Sequence, residues 1–265
     1  MIQTDTFLRI GKTHQECEDY IISGDYPCKY VILSDGCSSS NQTEMGARIL
    51  CHLAKQYLMY RKDDYRFPNL NYKEMGLWII HNAEFAARQL GLLRNCLDAT
   101  LIVAYEWEDI VHIYMYGDGA VIVQKNDTIS IMEIDYTKNA PFYLSYKINP
   151  EAMDLFHDLK QDLTITTSFN LASKHSHSYA YDYETKYEYH LGNFSRILIC
   201  SDGISSFKKQ SEPEQTIEIA KEFLAYKSTK GEFLKRRLKR AIKIYEANGI
   251  HHDDDLSVGA FINEE

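Results

Sequence analysis

Two apolar runs that each stop abruptly at Ser-Asp-Gly constrain this chain more than any other feature. They read Tyr30-Val31-Ile32-Leu33-Ser34-Asp35-Gly36 and Ile197-Leu198-Ile199-Cys200-Ser201-Asp202-Gly203. A short continuous apolar run bounded by a turn signal reads as a strand buried on both faces, so each segment delivers a carboxylate to a sheet edge. A third run, Ile113-Tyr114-Met115-Tyr116, leads into Gly117-Asp118-Gly119, and Asp253-Asp254-Asp255 leads into Leu256-Ser257-Val258-Gly259-Ala260-Phe261. Any one Asp-Gly is an ordinary turn, and the triple acid alone reads as a capping cluster. Recurrence of the pattern at separate strand ends is harder to explain as turns. Oxygen donors in fixed positions suit hard divalent cations such as Mg²⁺ or Mn²⁺.

The strand signals fall in blocks. Phe7 to Ile10 reads as a first strand, a polar connection runs from Gly11 to Tyr20, and Tyr30 to Ser34 follows the turn-rich Ser23-Gly24-Asp25-Tyr26-Pro27. Thr100 to Tyr105, Ile110 to Tyr116, Ala120 to Gln124 and Thr128 to Ile134 are rich in Ile, Val, Thr and Tyr and separated by the turn-like Glu106-Trp107-Glu108-Asp109, Gly117-Asp118-Gly119 and Lys125-Asn126-Asp127, which predicts an antiparallel meander. Weaker signals place strands at Leu163 to Thr167 and Ser178 to Tyr183 and a short helix at Glu151 to Leu159. Lys174 to His177 reads as an exposed lip or a loop. Arg196 to Ser201 and Ser257 to Ile262 close the strand set.

Helices come in two pairs. The first starts at Thr43 as a cap, with Met45, Ile49, Leu53 and Tyr57 as its apolar stripe, widened by Leu50 and Leu58. After a charged loop with Pro68, the second runs from Tyr72 to Leu90 on Met75, Ile79, Ala83, Ala86 and Leu90, with Gly91 as its stop. The other pair covers Glu214 to Lys227 and Lys230 to Asn248, the latter striped by Leu234, Leu238, Ala241, Ile242 and Tyr245. Strand blocks with helix pairs around them imply an α+β layered fold, sheets central and helices outside.

Bulk properties set the class. The 265 residues suffice for one substantial core, so a single domain over 1–265 is expected. A net charge of -9 argues against attraction to nucleic acid or an anionic membrane, and Lys235-Arg236-Arg237 with Lys239-Arg240 reads as a solvated helix face. The six cysteines form no CxxC pair, and no signal segment or membrane-length apolar run occurs, which predicts a reduced, cytoplasmic protein.

Glu18, Asp19, Asp35, Asp118, Asp202 and Asp254 share a strand-edge context. Converging carboxylates repel one another unless cations sit among them. Two divalent ions roughly 4 Å apart would relieve that repulsion and activate a water for in-line attack on a phosphate ester.

In order along the chain, these motifs resemble the metal-dependent serine/threonine protein phosphatases of the 2C type. The family's opening Gly-x-x-Arg-x-x-Asn-Glu-Asp is similar to Gly11-Lys12-Thr13-His14-Gln15-Glu16-Cys17-Glu18-Asp19, and its apolar strand before Asp-Gly to Val31 through Gly36. Its Gly-Glu-x-Ala-type helix start looks like Thr43-Glu44-Met45-Gly46-Ala47, and its Gly-Ser/Thr-Thr segment like Asp98-Ala99-Thr100-Leu101. The remaining motifs correspond to Gly117-Asp118-Gly119, Leu198 to Gly203 and Asp254-Asp255-Leu256-Ser257. Only the stretch from Asp135 to Asn193 matches poorly.

The resemblance implies a four-layer α-β-β-α sandwich with two central, mostly antiparallel sheets. It implies dephosphorylation of phosphoserine and phosphothreonine in proteins, with two Mg²⁺ or Mn²⁺ ions and a weaker third. Asp35 would bridge the ions with the Gly36 carbonyl beside it. Asp202 and Asp254 would complete a site, Glu18 would hold metal-bound water, and Asp19 would lie close by. Asp118 would belong to the third-ion region. His14 stands where the family has a phosphate-clamping arginine, and reads either as a phosphate contact or as an ordinary loop histidine. Cys37 stands where many members have a histidine able to protonate the leaving group, which favours aryl over alkyl phosphates. The alternatives are a regulatory or binding protein with weak or lost turnover and a hydrolase of a small phosphorylated metabolite. A zinc hydrolase using His251 and His252 is a lesser option.

Overall fold

The computed structural model describes residues 2–64, 67, 70–170 and 173–263; Pro68 of the charged loop lies outside the described residues. From the N-terminal side, β1 (Ile2–Arg9), β2 (Tyr20–Gly24) and β3 (Tyr30–Ser34) precede the helix pair α1 (Thr43–Arg61) and α2 (Tyr72–Gln89). The meander follows as β4 (Leu101–Trp107), β5 (Ile110–Tyr116), β6 (Gly119–Lys125) and β7 (Thr128–Tyr136). Then come α3 (Pro150–Asp158), β8 (Asp162–Phe169), β9 (Ser173–Ala180), β10 (Thr185–His190) and β11 (Arg196–Cys200). The chain finishes with β12 (Phe207–Lys209), β13 (Glu212–Pro213), α4 (Thr216–Leu224), α5 (Phe233–Ala247), β14 (Ile250–His252) and β15 (Leu256–Asn263).

One sheet has the order β1-β15-β11-β6-β7-β8-β9, a second β10-β5-β4-β3-β2, and a small third β13-β12-β14. Every pairing between these strands is antiparallel. The four layers follow from strand periodicity. In β3, Tyr30 and Ile32 face α1 and α2, while Val31 and Leu33 face the other sheet. In β11, Ile197 and Ile199 face between the sheets, and Leu198 and Cys200 face α4 and α5. Three apolar cores therefore alternate with four layers, and central strands read as unbroken apolar runs because both faces are covered.

The helix faces depart from the expected stripe. In α1 the buried positions are Gly46, Ala47, Leu50, Cys51, Ala54, Tyr57 and Leu58, while Met45 is exposed. Thr43 does not cap this helix. Gln42 holds the cap position, and Thr43 is buried, its hydroxyl 3.3 Å from Glu18 Oε1 and from the Cys37 carbonyl. In α2 the Asn71 side chain accepts from the Glu74 N–H at 2.9 Å, Ala87 rather than Ala86 is buried, and Leu90 is exposed. The basic run on α5 faces solvent in large part, with the Arg237 guanidinium pinned to the Glu222 carbonyl at 2.6 Å.

Three further corrections concern strands. Lys174 to His177 is neither lip nor loop: it lies within β9, an exposed edge strand. The strand expected at Ser178 to Tyr183 is displaced, since β9 ends at Ala180 and a separate strand, β10, pairs with β5. The two-residue turn of the β4–β5 hairpin is Glu108-Asp109, both at positive φ, so Glu106 and Trp107 belong to the strand. Among the described residues no helix is long and apolar enough to cross a membrane.

Candidate active site

Strand ends at one edge of the two sheets converge on a polar cleft of about 270 Å³. Its wall includes His14, Asp35, Gly36, Asp118, Asp202 and Asp254, drawn from positions far apart in the chain. Asp35 directly follows β3. Its carbonyl accepts from the Thr100 N–H at 2.8 Å, and the Cys37 N–H donates to the Asp98 carbonyl at 2.9 Å, so pairing with the start of β4 continues past the regular strand. Asp98 also accepts from Ser40 Oγ at 2.8 Å and Ser145 Oγ at 2.6 Å, which anchors the Cys37–Ser40 loop.

Asp118 sits in the β5–β6 hairpin between Gly117 (φ 97°) and Gly119 (φ 131°), a backbone that L side chains rarely adopt. Asp202 directly follows Ser201 at the end of β11. A Cβ on Gly203 would lie 1.8 Å from the Asp255 carbonyl oxygen, so only glycine lets this turn approach the segment that carries Asp254. Asp254 directs a side chain 40% exposed toward the cleft, whereas the side chain of Asp255 is 2% exposed and turned inward.

Asp255 was not singled out as a site residue by its sequence context, yet it organises the loop that carries His14. Its Oδ1 accepts from the Gly11 N–H at 2.7 Å and its Oδ2 from the Glu18 N–H at 2.6 Å. One carboxylate thus ties both ends of the 11–18 loop. Glu18 and Asp19 do not line the cleft. Asp19 is buried behind it, where Oδ2 accepts from Ser201 Oγ at 2.8 Å. His14 is surrounded by acid: Nε2 lies 3.2 Å from Asp254 Oδ1, and Nδ1 lies 3.2 Å from Asp255 Oδ2 and 3.8 Å from Glu18 Oε2. His251 and His252 are absent from the cleft wall; both lie in β14, and His252 packs against the Phe207 ring.

The electrostatics follow from burial and crowding. Burial, together with Asp19, Asp202, Asp118 and Asp254, holds the Asp35 pKa well above the carboxylate range. Burial and the Asp202 charge do the same to Asp118. Burial and Asp254 push Asp202 up to about 6, against an opposing influence from the Asp35 carboxyl. Burial raises Asp19 to about 7, opposed by the hydroxyls of Ser257 and Ser201. For His14, burial disfavours the charged form, but Asp255, Asp254 and Glu18 outweigh it and the pKa is raised.

This donor set fits a hard divalent cation. It consists of carboxylate oxygens with Gly36 in the same wall, and among the described residues Asp202 Oδ1 is buried without a hydrogen-bond partner. Among the described residues, no three acidic, histidine or cysteine side chains already close around one point as a finished cage. Tyr143, Asn139 and Pro141 complete the wall from the stretch whose sequence signal was weakest.

The family model described as protein phosphatase 2C matches residues 11–243. The chain belongs to the protein phosphatase 2C family. Its fold is shared with a bacterial serine phosphatase, 15% identical over 100% of this chain and 98% of that one, at a TM-score of 0.61. Serine/threonine phosphatase Stp1 from Staphylococcus aureus is 16% identical over 100% and 96%, at 0.60. The catalytic domain of serine threonine protein phosphatase PstP, in complex with two manganese ions, is 13% identical over 98% and 97%, at 0.52. At these identities the likeness is one of fold. No curated protein matches the sequence.

Proposed function

We propose that this chain is a phosphatase that hydrolyses phosphoserine and phosphothreonine in proteins and depends on Mg²⁺ or Mn²⁺. The observation that carries this reading is the gathering of Asp35, Asp118, Asp202 and Asp254 in one cleft beside Gly36. Membership of the phosphatase 2C family supports it, as do the two manganese ions bound by PstP. Asp35, Gly36, Asp202 and Asp254 would hold two ions, with Asp118 toward a weaker third. When bound, such ions neutralise the acidic cluster and lower the pKa of a water that attacks phosphorus. Glu18, held by Thr43 beside His14, would hold metal-bound water, and Asp19, held by Ser201, supports the strand ends from behind. The 270 Å³ cleft is bordered by hydroxyl and thiol groups of Cys37, Ser38, Ser39 and Tyr143, which can orient phosphate oxygens.

A second reading rests on His14. Its Nε2 faces Asp254 Oδ1 at 3.2 Å, so the group standing where an arginine would clamp phosphate is engaged with a carboxylate. On that reading the chain binds metal or phosphopeptide and turns over weakly. A Mn²⁺-dependent assay with a phosphopeptide panel, a panel of phosphorylated metabolites and a small aryl phosphate separates the readings. Turnover that is lost in Asp35→Asn and Asp202→Asn supports the phosphatase. Metal binding by calorimetry without turnover supports the binding protein, and absence of both defeats each.

A further inference from the structure

Behind the partition that walls the carboxylate cleft lies a second cavity, of about 150 Å³. Gly117 and Phe142 line this cavity, while their chain neighbours Asp118 and Tyr143 line the cleft. Its sides are the rings of Tyr72, Tyr116, Tyr136, Phe142, Tyr181 and Tyr183. Most of the phenol groups are already engaged elsewhere. Tyr72 Oη donates to the Met115 carbonyl at 2.6 Å, Tyr116 Oη to the Tyr72 carbonyl at 2.8 Å and Tyr136 Oη to the Tyr181 carbonyl at 3.4 Å. Tyr181 Oη pairs with His157 Nε2 at 2.9 Å. The cavity therefore presents ring surface rather than hydroxyls.

Three charged side chains border it: Lys73, Lys147 and Asp182. Lys73 Nζ lies 3.5 Å from Glu184 Oε1. Lys147 is half-buried, its Nζ 6.0 Å from the Phe142 ring centroid, and among the described residues no carboxylate forms an ion pair with it. Burial, with Lys73 adding to it, lowers the Lys147 pKa, and Asp182 and Glu184 oppose this. A partly desolvated ammonium with no ion-pair partner among the described residues faces a ring-lined space that rewards a planar apolar group.

We propose that this cavity binds a small aromatic monoacid, its ring between the tyrosine faces and its carboxylate against the Lys147 ammonium. The volume is that of apolar cavities known to take a benzene-sized molecule. A cationic ligand is disfavoured because Lys147 already places a positive charge by the Phe142 ring, and a polyanion is disfavoured by Asp182. An occupant would touch the two segments that carry Asp118 and Tyr143 into the carboxylate cleft.

Isothermal titration of the full chain with phenylacetate tests the proposal, with benzyl alcohol and benzylamine as neutral and cationic rings of similar size. Phenylacetate should saturate one site with affinity about tenfold or more above benzyl alcohol, since a charge-assisted hydrogen bond separates them. Benzylamine should bind more weakly than either. Lys147→Met should lower phenylacetate to the level of benzyl alcohol, and Met153→Trp, which fills the hole, should abolish both, with folding of each variant verified by circular dichroism. Failure of phenylacetate to saturate below about 10 mM overturns the proposal. So does equal or better binding of benzyl alcohol or benzylamine, or undiminished phenylacetate affinity in folded Lys147→Met.

Discussion

Asp255→Asn isolates the latch behind the candidate active site. The carboxylate accepts from the Gly11 N–H at 2.7 Å and from the Glu18 N–H at 2.6 Å, and its side chain is 2% exposed. Each charge-assisted bond of this kind contributes about 1.5–3 kcal/mol. Asparagine must turn its NH₂ toward one of the two N–H groups, setting donor against donor in a buried place, and it weakens the remaining bond to a neutral one. Removing one negative charge from beside Glu18 and Asp19 returns on the order of 1 kcal/mol. The expected net loss is about 2–3 kcal/mol, or roughly 4–12 °C in melting temperature for a chain of this size. Urea unfolding of wild type and variant, with and without Mn²⁺, measures it. Asp255→Ala should cost more, because both bonds vanish. A loss below about 0.5 kcal/mol in Asp255→Asn would refute the argument that this carboxylate holds the 11–18 loop by charge.

Other expectations follow from single contacts. Burial lowers the pKa of His112 from 6.5, with Glu188 opposing and Lys186 adding to the shift. Its proton is therefore bound more readily by the unfolded chain, so the contribution is intact above pH 6.5 and declines as pH falls below it. His112→Gln should flatten that part of the stability profile between pH 5 and 8, and an unchanged slope would contradict it. Gly203→Ala places a Cβ 1.8 Å from the Asp255 carbonyl oxygen and must spread the Asp202 turn from the Asp254 segment. Mn²⁺ affinity by calorimetry should fall about tenfold or more, in the range seen when groups that orient metal ligands are altered. Phe261, fully buried between the two large sheets, should cost about 3–5 kcal/mol when replaced by alanine, and a loss under about 1 kcal/mol would show that the sheets close over the gap.

The strands that carry the site were legible because their burial leaves little choice. Val31 to Leu33 and Ile197 to Cys200 are fully buried on alternating faces, and a run apolar at every position has no helical period to compete with. Asp35, Asp118, Asp202 and Asp254 carry a local signal, an acid at a strand edge, and the structure places all four around one cleft. Of the two acids of the 11–19 segment, Asp19 is buried against Ser201, and Glu18 reaches Thr43 and His14 beside the cleft. Edge elements were not legible. β9 is almost wholly exposed, so no inward face imposes alternation on Ser173 to Ala180. The tyrosines from 179 to 189 take roles that no local pattern separates: Tyr183 lines the aromatic cavity, Tyr179, Tyr187 and Tyr189 pack against the core between the sheets, and Tyr181 does both.

By itself the order of residues determined where the chain is strand or helix over most of its core, and that acids stand at the strand ends. Periodicity and turn chemistry act within a few residues, so they are written locally. The sequence already points to Asp254 among the three acids at 253–255; only the tertiary structure decided what its neighbour Asp255 does, since identical side chains differ only in what the folded chain sets beside them. It turned Asp254 outward to the cleft and Asp255 inward to the N–H groups of Gly11 and Glu18, more than 230 residues away along the chain.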